Sequence, residues 1–337
     1  MIDARALHAR IFTLDTHIDI PWPDRGDAFG PSSRRVDFAK MREGGLKAGC
    51  FAAYVPQGPR SAETEAADFE RARGMLVAIG GMAGTRDGIR ARVAKRAAEI
   101  QATAAEGAVA VVPAVENGHA IGRDLDRLDE FAALGARYLT LTHNGHNALG
   151  DSAVPRADFG DAATLHGGLS EFGRSAVARL NALGMMVDVS HAAKSTMLQA
   201  VALSRSPVVA THSSIHALCP HPRNLDDEQL DALGARGGVV QITAVPAFLR
   251  RDVKESEVSL ADFVNHIDYA VRRIGIAHVG ISSDFDGGGG FEGWRDASES
   301  ANVTGELIRR GYDETAVAAL WGGNFLRVMR EAEALAE

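Results

Sequence analysis

Ile11-Phe12-Thr13-Leu14-Asp15-Thr16-His17-Ile18-Asp19 is the stretch from which the fold can be read. Residues 11–16 read as a short, largely apolar strand, and the stretch ends in an imidazole and a carboxylate two residues apart. Alternate side chains of an extended segment share a face, so His17 and Asp19 point the same way. Two such groups leaving one strand end make half of a divalent metal site. A lone H-x-D triplet is usually a surface accident. Its meaning depends on whether other strand ends carry the same residue types.

Seven further runs rich in Val, Ile and Leu follow, at 47–55, 109–115, 137–142, 185–190, 207–211, 238–243 and 278–283. Segments of helical period separate them, at 62–105, 124–134, 169–183, 194–204, 226–234 and 260–274. Short buried strands alternating with helices imply a parallel sheet covered by helices. Eight such units without a composition break predict a closed (β/α)8 TIM barrel, α/β in class, over a doubly wound sheet. Residues 1–337 are expected to form one such domain with a C-terminal helical extension. Segment 62–105 is long enough for two helices. Segment 144–168, rich in Gly, Asp and Ala, is long for a barrel loop and reads as a lid or binding loop. Gly287 to Gly290 reads as a flexible turn; no Lys-Ser or Lys-Thr follows, so it is not a P-loop.

Active sites of such barrels lie at the C-terminal strand ends. Strand one delivers His17 and Asp19, strand three Glu116, strand four His143, strand five His191, strand six His212 and strand eight Asp284 and Asp286. Six of eight strand ends thus carry a ligand type, where average usage would place one about one time in four. Bland readings stand beside each: Glu116 as a salt-bridge partner, His191 and His212 as helix-capping neighbours. Asp188 falls on the opposite parity from His191 and reads as a structural acid that orients a neighbour. Asp286 shares the parity of Asp284, and Asp15 that of His17, though deeper in its strand. His166 and His221 lie in loops and read as surface or lining histidines.

Composition narrows the rest. The chain of 337 residues is 46% hydrophobic with a net charge of -8, and no Lys or Arg block suggests a nucleic-acid partner. Two cysteines, Cys50 and Cys219, exclude a disulfide framework and favour a reducing compartment. No apolar run approaches the ~20 residues that span a bilayer, and Met1-Ile2-Asp3-Ala4-Arg5 is not a signal peptide. The expectation is a cytoplasmic protein with no membrane partner; a homodimer is one assembly it allows. Neither cysteine lies in a nucleophile motif, and no G-x-S-x-G elbow is present. Two or three His with one Asp and one Glu exceed a single tetrahedral zinc shell. They suggest two ions sharing a carboxylate, with a bridging water deprotonated to hydroxide as the nucleophile.

At these residues the sequence resembles the membrane (renal) dipeptidase family of the metal-dependent amidohydrolase superfamily. The matching pieces are Asp15-Thr16-His17-Ile18-Asp19, Glu116-Asn117-Gly118, Leu139-Thr140-Leu141-Thr142-His143, Gly168-Leu169-Ser170-Glu171-Phe172-Gly173, Asp188-Val189-Ser190-His191, His212-Ser213-Ser214, Arg223-Asn224 and Gly280-Ile281-Ser282-Ser283-Asp284-Phe285-Asp286-Gly287. The resemblance implies a zinc dipeptidase with a dipeptide substrate and two Zn2+ ions. His17 and Asp19 would hold one ion, His191 and His212 the other, and Glu116 would bridge them. His143 would contact the scissile carbonyl oxygen, Arg223 would clamp the terminal carboxylate, and Asp284 would pass the proton from water to the leaving amine. A D-residue at the C-terminal position would be accepted. Thr16 and Ile18 depart from the Gly and Asn common in the family, which bears on substrate choice rather than on metal. Another superfamily hydrolase, such as a deaminase, lactonase or phosphotriesterase, is the competing enzyme reading. Its usual H-x-H opening and strand-four lysine are missing here. A non-catalytic barrel that binds a peptide or metal is the competing reading outside enzymes.

Overall fold

A computed structural model describes residues 3–24 and 26–336. Ten strands are present among them: β1 Leu14–Asp19, β2 Ala48–Tyr54, β3 Gly84–Arg86, β4 Ile89–Val93, β5 Val109–Glu116, β6 Tyr138–Thr140, β7 Met186–Asp188, β8 Val209–Ser213, β9 Val239–Thr243 and β10 Val279–Ser282. Eight of them run parallel in the order β1-β2-β5-β6-β7-β8-β9-β10. The ring closes where Asp19 N donates to Phe285 O and Asp284 N donates to His17 O. Helices cover the outside, so the expected TIM barrel is the observed fold.

Two local features differ from the sequence expectation. β1 spans Leu14–Asp19 rather than 11–16: a helix, Ala4–Arg10, ends just before, and residues 11–13 connect the two. His17 and Asp19 therefore lie within the strand. Segment 62–105 holds the two expected helices, Ala62–Gly80 and Ala97–Ala105, but also the antiparallel hairpin β3–β4 between them. Its two-residue turn is Asp87-Gly88, both at positive φ. That is the Asp-Gly signature of a tight hairpin, and it was readable from the chain. β4 pairs with the first residues of β5, Val109 to Val111, while β6 pairs with its last, Val115 and Glu116. Pro113, which has no N–H to donate, falls between the two partners.

Segment 144–168 is braced along its length. The Asp151 carboxylate accepts the backbone N–H groups of Leu165, His166, Gly167 and Gly168 at 2.8–3.2 Å. Asp161 accepts from His146 N and Arg156 N, each at 2.8 Å, and pairs with Arg60. The segment abuts the helix Glu171–Ala182, where a Cβ on Gly173 would lie 1.9 Å from Leu149 O. The N-cap Ser170 receives Gly173 N and donates to Ala148 O, fixing the same contact. At the barrel's other end Phe325, Leu326 and Met329 of the C-terminal helix Asn324–Glu333 join an apolar cluster with Leu14, Cys50 and Met186. Each such side chain, fully buried, stabilises the fold by about 1.5–3 kcal/mol. No helix among the described residues is long and apolar enough to cross a membrane.

Candidate metal centre

Glu116 ends β5, buried at the C-terminal mouth of the barrel. Its Oε2 lies 3.3 Å from His17 Nε2 of β1, which is 3.5 Å from Asp19 Oδ1. Its Oε1 lies 3.2 Å from His191 Nε2, 3.4 Å from His212 Nε2 and 3.9 Å from His143 Nε2. Two sets of donors, His17–Glu116–His212 and Glu116–His143–His191, each fall within 4.8 Å of one another.

The other ring nitrogen of three imidazoles is engaged by the protein. His17 Nδ1 is 2.9 Å from the Tyr138 hydroxyl, which donates its own proton to Thr16 O and so must accept from His17. His212 Nδ1 is 2.9 Å from Thr211 Oγ1, whose proton goes to Asp188 Oδ2 at 2.7 Å. His191 Nδ1 donates to Asn144 Oδ1 at 3.0 Å. In every case the proton is on Nδ1, and the Nε2 lone pair faces Glu116. Such outer partners fix the tautomer and ring orientation of a metal-ligating histidine.

A lone pair 3.2–3.4 Å from a carboxylate is repulsive unless a cation lies between them. For His17 that cation can be a proton. Burial opposes its charge, but Glu116 and Asp19 outweigh burial and raise its pKa well above the ordinary value. For His212 and His191 it cannot. Burial, with His17, lowers His212 to about 3, and burial with Arg223 takes His191 well below its ordinary value. Burial pushes Glu116 upward, but the imidazoles around it hold it well below the usual carboxylate range. Asp19 Oδ1 is buried and has no hydrogen-bond partner. The donor set therefore fits divalent metal: the neutral imidazoles of His191 and His212, the ionised Glu116 carboxylate between them and His17, and the unpartnered Asp19 oxygen.

A cavity of about 430 Å³ opens over these groups, lined by Asp19, Tyr54, Glu116, His143, Arg223 and Asp284 among others. His143 is partly exposed to it, and burial, with Arg223 nearby, lowers its pKa to about 4. Arg223 is buried and donates from Nη2 to His212 O at 3.1 Å, while its Nε has no partner. Burial lowers the Arg223 pKa to about 10. Asp284 follows β10 with φ of 57°, and a Cβ on Gly287 would meet its Oδ1 at 2.4 Å and Asp19 Oδ2 at 2.8 Å. That close approach needs glycine, so the 287–290 run is a packed turn against the site. Burial raises the Asp284 carboxyl to about 8, with Asp19 and Glu116 adding to the rise and His17 and Arg223 opposing it.

The eight residues singled out in the sequence thus converge on one cavity and the floor beneath it. Their rivals do not. Asp286 pairs with Arg34 at 3.0 Å and accepts Arg35 N, outside the cluster. Asp15 bonds Ser283 N and His17 N from deeper in the barrel. Asp188 orients His212 through Thr211, as its reading as a structural acid requires. Parity was the wrong reason: His191 has φ of 65°, outside any strand. Tyr138, Asn144 and Thr211 carried no signal, because their roles arise from partners distant in the chain.

A sequence model described as membrane dipeptidase (peptidase family M19) matches residues 1–337. The chain belongs to the membrane dipeptidase family. Among its membrane dipeptidase relatives, dipeptidase verJ of Clonostachys rogersoniana is 32% identical over 98% of this chain and 86% of its own length. Dipeptidase aclJ of Aspergillus oryzae is 38% identical over 68% of this chain; the match spans about half of that protein, 53%. The probable dipeptidase PvdM of Pseudomonas aeruginosa superposes with a TM-score of 0.91 at 31% identity, covering 99% of this chain and 98% of that one. A metallopeptidase from Rhodobacter sphaeroides, solved with a phosphinate mimic of L-Ala-D-Ala, gives 0.82 at 31% identity over 96% and 99%.

Proposed function

We propose that the chain is a dinuclear zinc dipeptidase. His17 and Asp19 would hold one ion, His191 and His212 the other, and Glu116 would be shared between them. The observation that carries this reading is the division of Glu116 itself: Oε2 faces His17, and Oε1 faces His191 and His212. Zinc bound there would supply Lewis acidity for the scissile carbonyl and activation of the attacking water.

The remaining chemistry belongs to side chains. His143, neutral at physiological pH, donates a hydrogen bond to the carbonyl oxygen and stabilises the negative charge that grows on it. Arg223 binds the substrate carboxylate next to the scissile bond, the geometry for which a planar guanidinium is suited. Asp284 takes the proton of the attacking water and returns it to the amine, which leaves poorly unless protonated. Because the clamp grips a carboxylate rather than a side chain, a D-residue at the C-terminal position is accepted. The relative from Rhodobacter sphaeroides, solved with a mimic of L-Ala-D-Ala, supports this stereochemical reading.

The test is hydrolysis of Ala-Ala, Ala-D-Ala and Ala-Ala amide by chelator-stripped protein, before and after zinc is restored. Zinc should return activity at about two equivalents per chain on both free acids and leave the amide uncut. Hydrolysis unchanged by stripping, or equal rates on acid and amide, defeats the reading.

A further inference from the structure

His143 differs from the other imidazoles at the mouth of the barrel. No side chain among the described residues holds either of its ring nitrogens by a hydrogen bond, and Glu116 Oε1 stands 3.9 Å from its Nε2. Its ring packs against those of Tyr54 and His191, with centroids 4.9 and 4.1 Å away. A donor that serves a transition state must be held where the charge will grow. For His143 that task falls to the backbone that carries it.

That backbone is the turn 141–147, and an amide clasps its two ends. Asn147 Nδ2 donates to Leu141 O at 2.9 Å, while Asn147 Oδ1 accepts Leu149 N at 2.8 Å and Gly150 N at 3.3 Å. Asn147 Nδ2 also donates to Asn117 Oδ1 at 3.2 Å. Asn117 directly follows Glu116. Its Oδ1 accepts His119 N at 3.0 Å as well, and its Nδ2 donates to Val55 O at 3.1 Å and to Gln57 Oε1 at 3.3 Å. Both amides are buried, and each has two donated and two accepted bonds, so neither can flip. Asn117 holds φ of 81° in this arrangement, a conformation that glycine takes more readily. The pair ties the end of β5, which carries Glu116, to the turn after β6, which carries His143.

We propose that Asn147, held by Asn117, is a positioning residue for this site: the two amides clasp the 141–147 turn to the end of β5 and so set His143 against Glu116. The inference rests on the dipeptidase reading and on His143 as the donor to the scissile carbonyl. Neither amide lines the cavity, so each acts through the histidine and not on the substrate. A misplacement of about 1 Å in such a group costs about 100-fold in rate.

The experiment measures kcat and KM on Ala-Ala, and bound zinc by elemental analysis, in the zinc-loaded native enzyme, Asn147→Asp, Asn117→Gly and each of these combined with His143→Ala. Asn147→Asp keeps the size and the acceptor and loses the Nδ2 donor. Asn117→Gly suits the backbone conformation and removes the amide. Each should keep zinc and KM near native and lower kcat by about 10–100-fold, up to the cost of a 1 Å misplacement. In the His143→Ala background each should lower kcat by no more than about twofold further, since groups that act as a unit are not additive. A general loosening of the fold would instead add its full cost to that of His143→Ala. Native kcat in Asn147→Asp, or an equal fall in both backgrounds, overturns the proposal. So does loss of zinc in both amide variants, which would put the amides in the service of Glu116 rather than of His143. Native kcat in His143→Ala alone, or no cleavage of any dipeptide by the native enzyme, overturns the reading of the site instead.

Discussion

Two sets of buried histidine in this barrel bear comparison. At the mouth, His17, His191 and His212 each give one ring nitrogen to the protein and turn the other onto Glu116. In the loop layer, His266 and His146 give both nitrogens to the backbone. His266 Nδ1 accepts Ile215 N and its Nε2 donates to Leu249 O; His146 Nδ1 accepts Ser152 N and its Nε2 donates to Ala162 O. Burial does not separate the two kinds. All five are buried, and burial lowers His266 to about 4 much as it lowers His212 to about 3. What separates them is whether the second nitrogen ends on a peptide group or on a carboxylate. The first arrangement fastens loops, and the second has a place for a cation.

Substitution can test that contrast, beginning with the carboxylate. Glu116→Ala should abolish dipeptide hydrolysis and cut bound zinc on both sides, as read by elemental analysis. Retention of two equivalents would break the contrast at its root. Asp284→Asn should keep zinc and lower kcat by about 10²–10⁴, the usual worth of acid–base catalysis. Asp286→Asn, which weakens contacts to Arg34 and to the backbone of Arg35 and Val36 outside the cluster, should change kcat far less, and a reversal of these two would reassign the proton carrier.

Smaller effects sharpen the picture. Arg223→Met should cost about 1.5–3 kcal/mol in kcat/KM on Ala-Ala, the range for hydrogen bonds to a charged group. Arg223→Lys should recover only part, since an ammonium cannot form the fork. Thr211→Val removes the acceptor that orients His212 and should weaken one zinc about 10–100-fold by competition with a chelator. If zinc affinity were untouched, the Nδ1 partner would not be what distinguishes a ligand histidine.

The structural class makes the opposite prediction. His266→Gln should leave zinc alone and lower stability by about 1–3 kcal/mol in a urea titration, because Ile215 N loses its acceptor. The sign of its pH dependence follows from its shift. The folded state holds His266 near 4, below its ordinary 6.5. The folded protein therefore resists a proton that the unfolded chain accepts. This contribution is complete above pH 6.5 and is lost as pH falls toward 4. Melting temperatures should drop over that window in the native protein and drop less in His266→Gln. An equal drop in both would mean other groups carry the acid sensitivity.

Much of this was legible in the chain because strands announce themselves locally. β-branched runs and helical periods gave all eight barrel strands, and barrel geometry sends strand ends to one rim. His17, Asp19, Glu116, His143, His191, His212, Arg223 and Asp284 were found by residue type at those ends or by family resemblance. The β3–β4 hairpin was missed although Asp87-Gly88 marked it, because its strands are short and were absorbed into a long helical segment. Parity failed at His191, Asp284 and Asp286, all at positive φ, because the chain had already left the strand there. A left-handed residue redirects a side chain in a way that counting by twos does not register.

The sequence by itself determined the barrel and the inventory of ligand types at its mouth, since both follow from patterns within a few residues of one another. Only the tertiary structure decided which nitrogen each histidine offers and which aspartate faces the cavity. His17 is oriented by Tyr138, 121 residues away, and His191 by Asn144, 47 residues away. The division of Glu116 between His17 and the pair His191 and His212 exists only once β1, β5 and β8 meet in the closed ring. A hydrogen bond or an electrostatic contact depends on distance in space, and the chain order encodes that distance only through the fold.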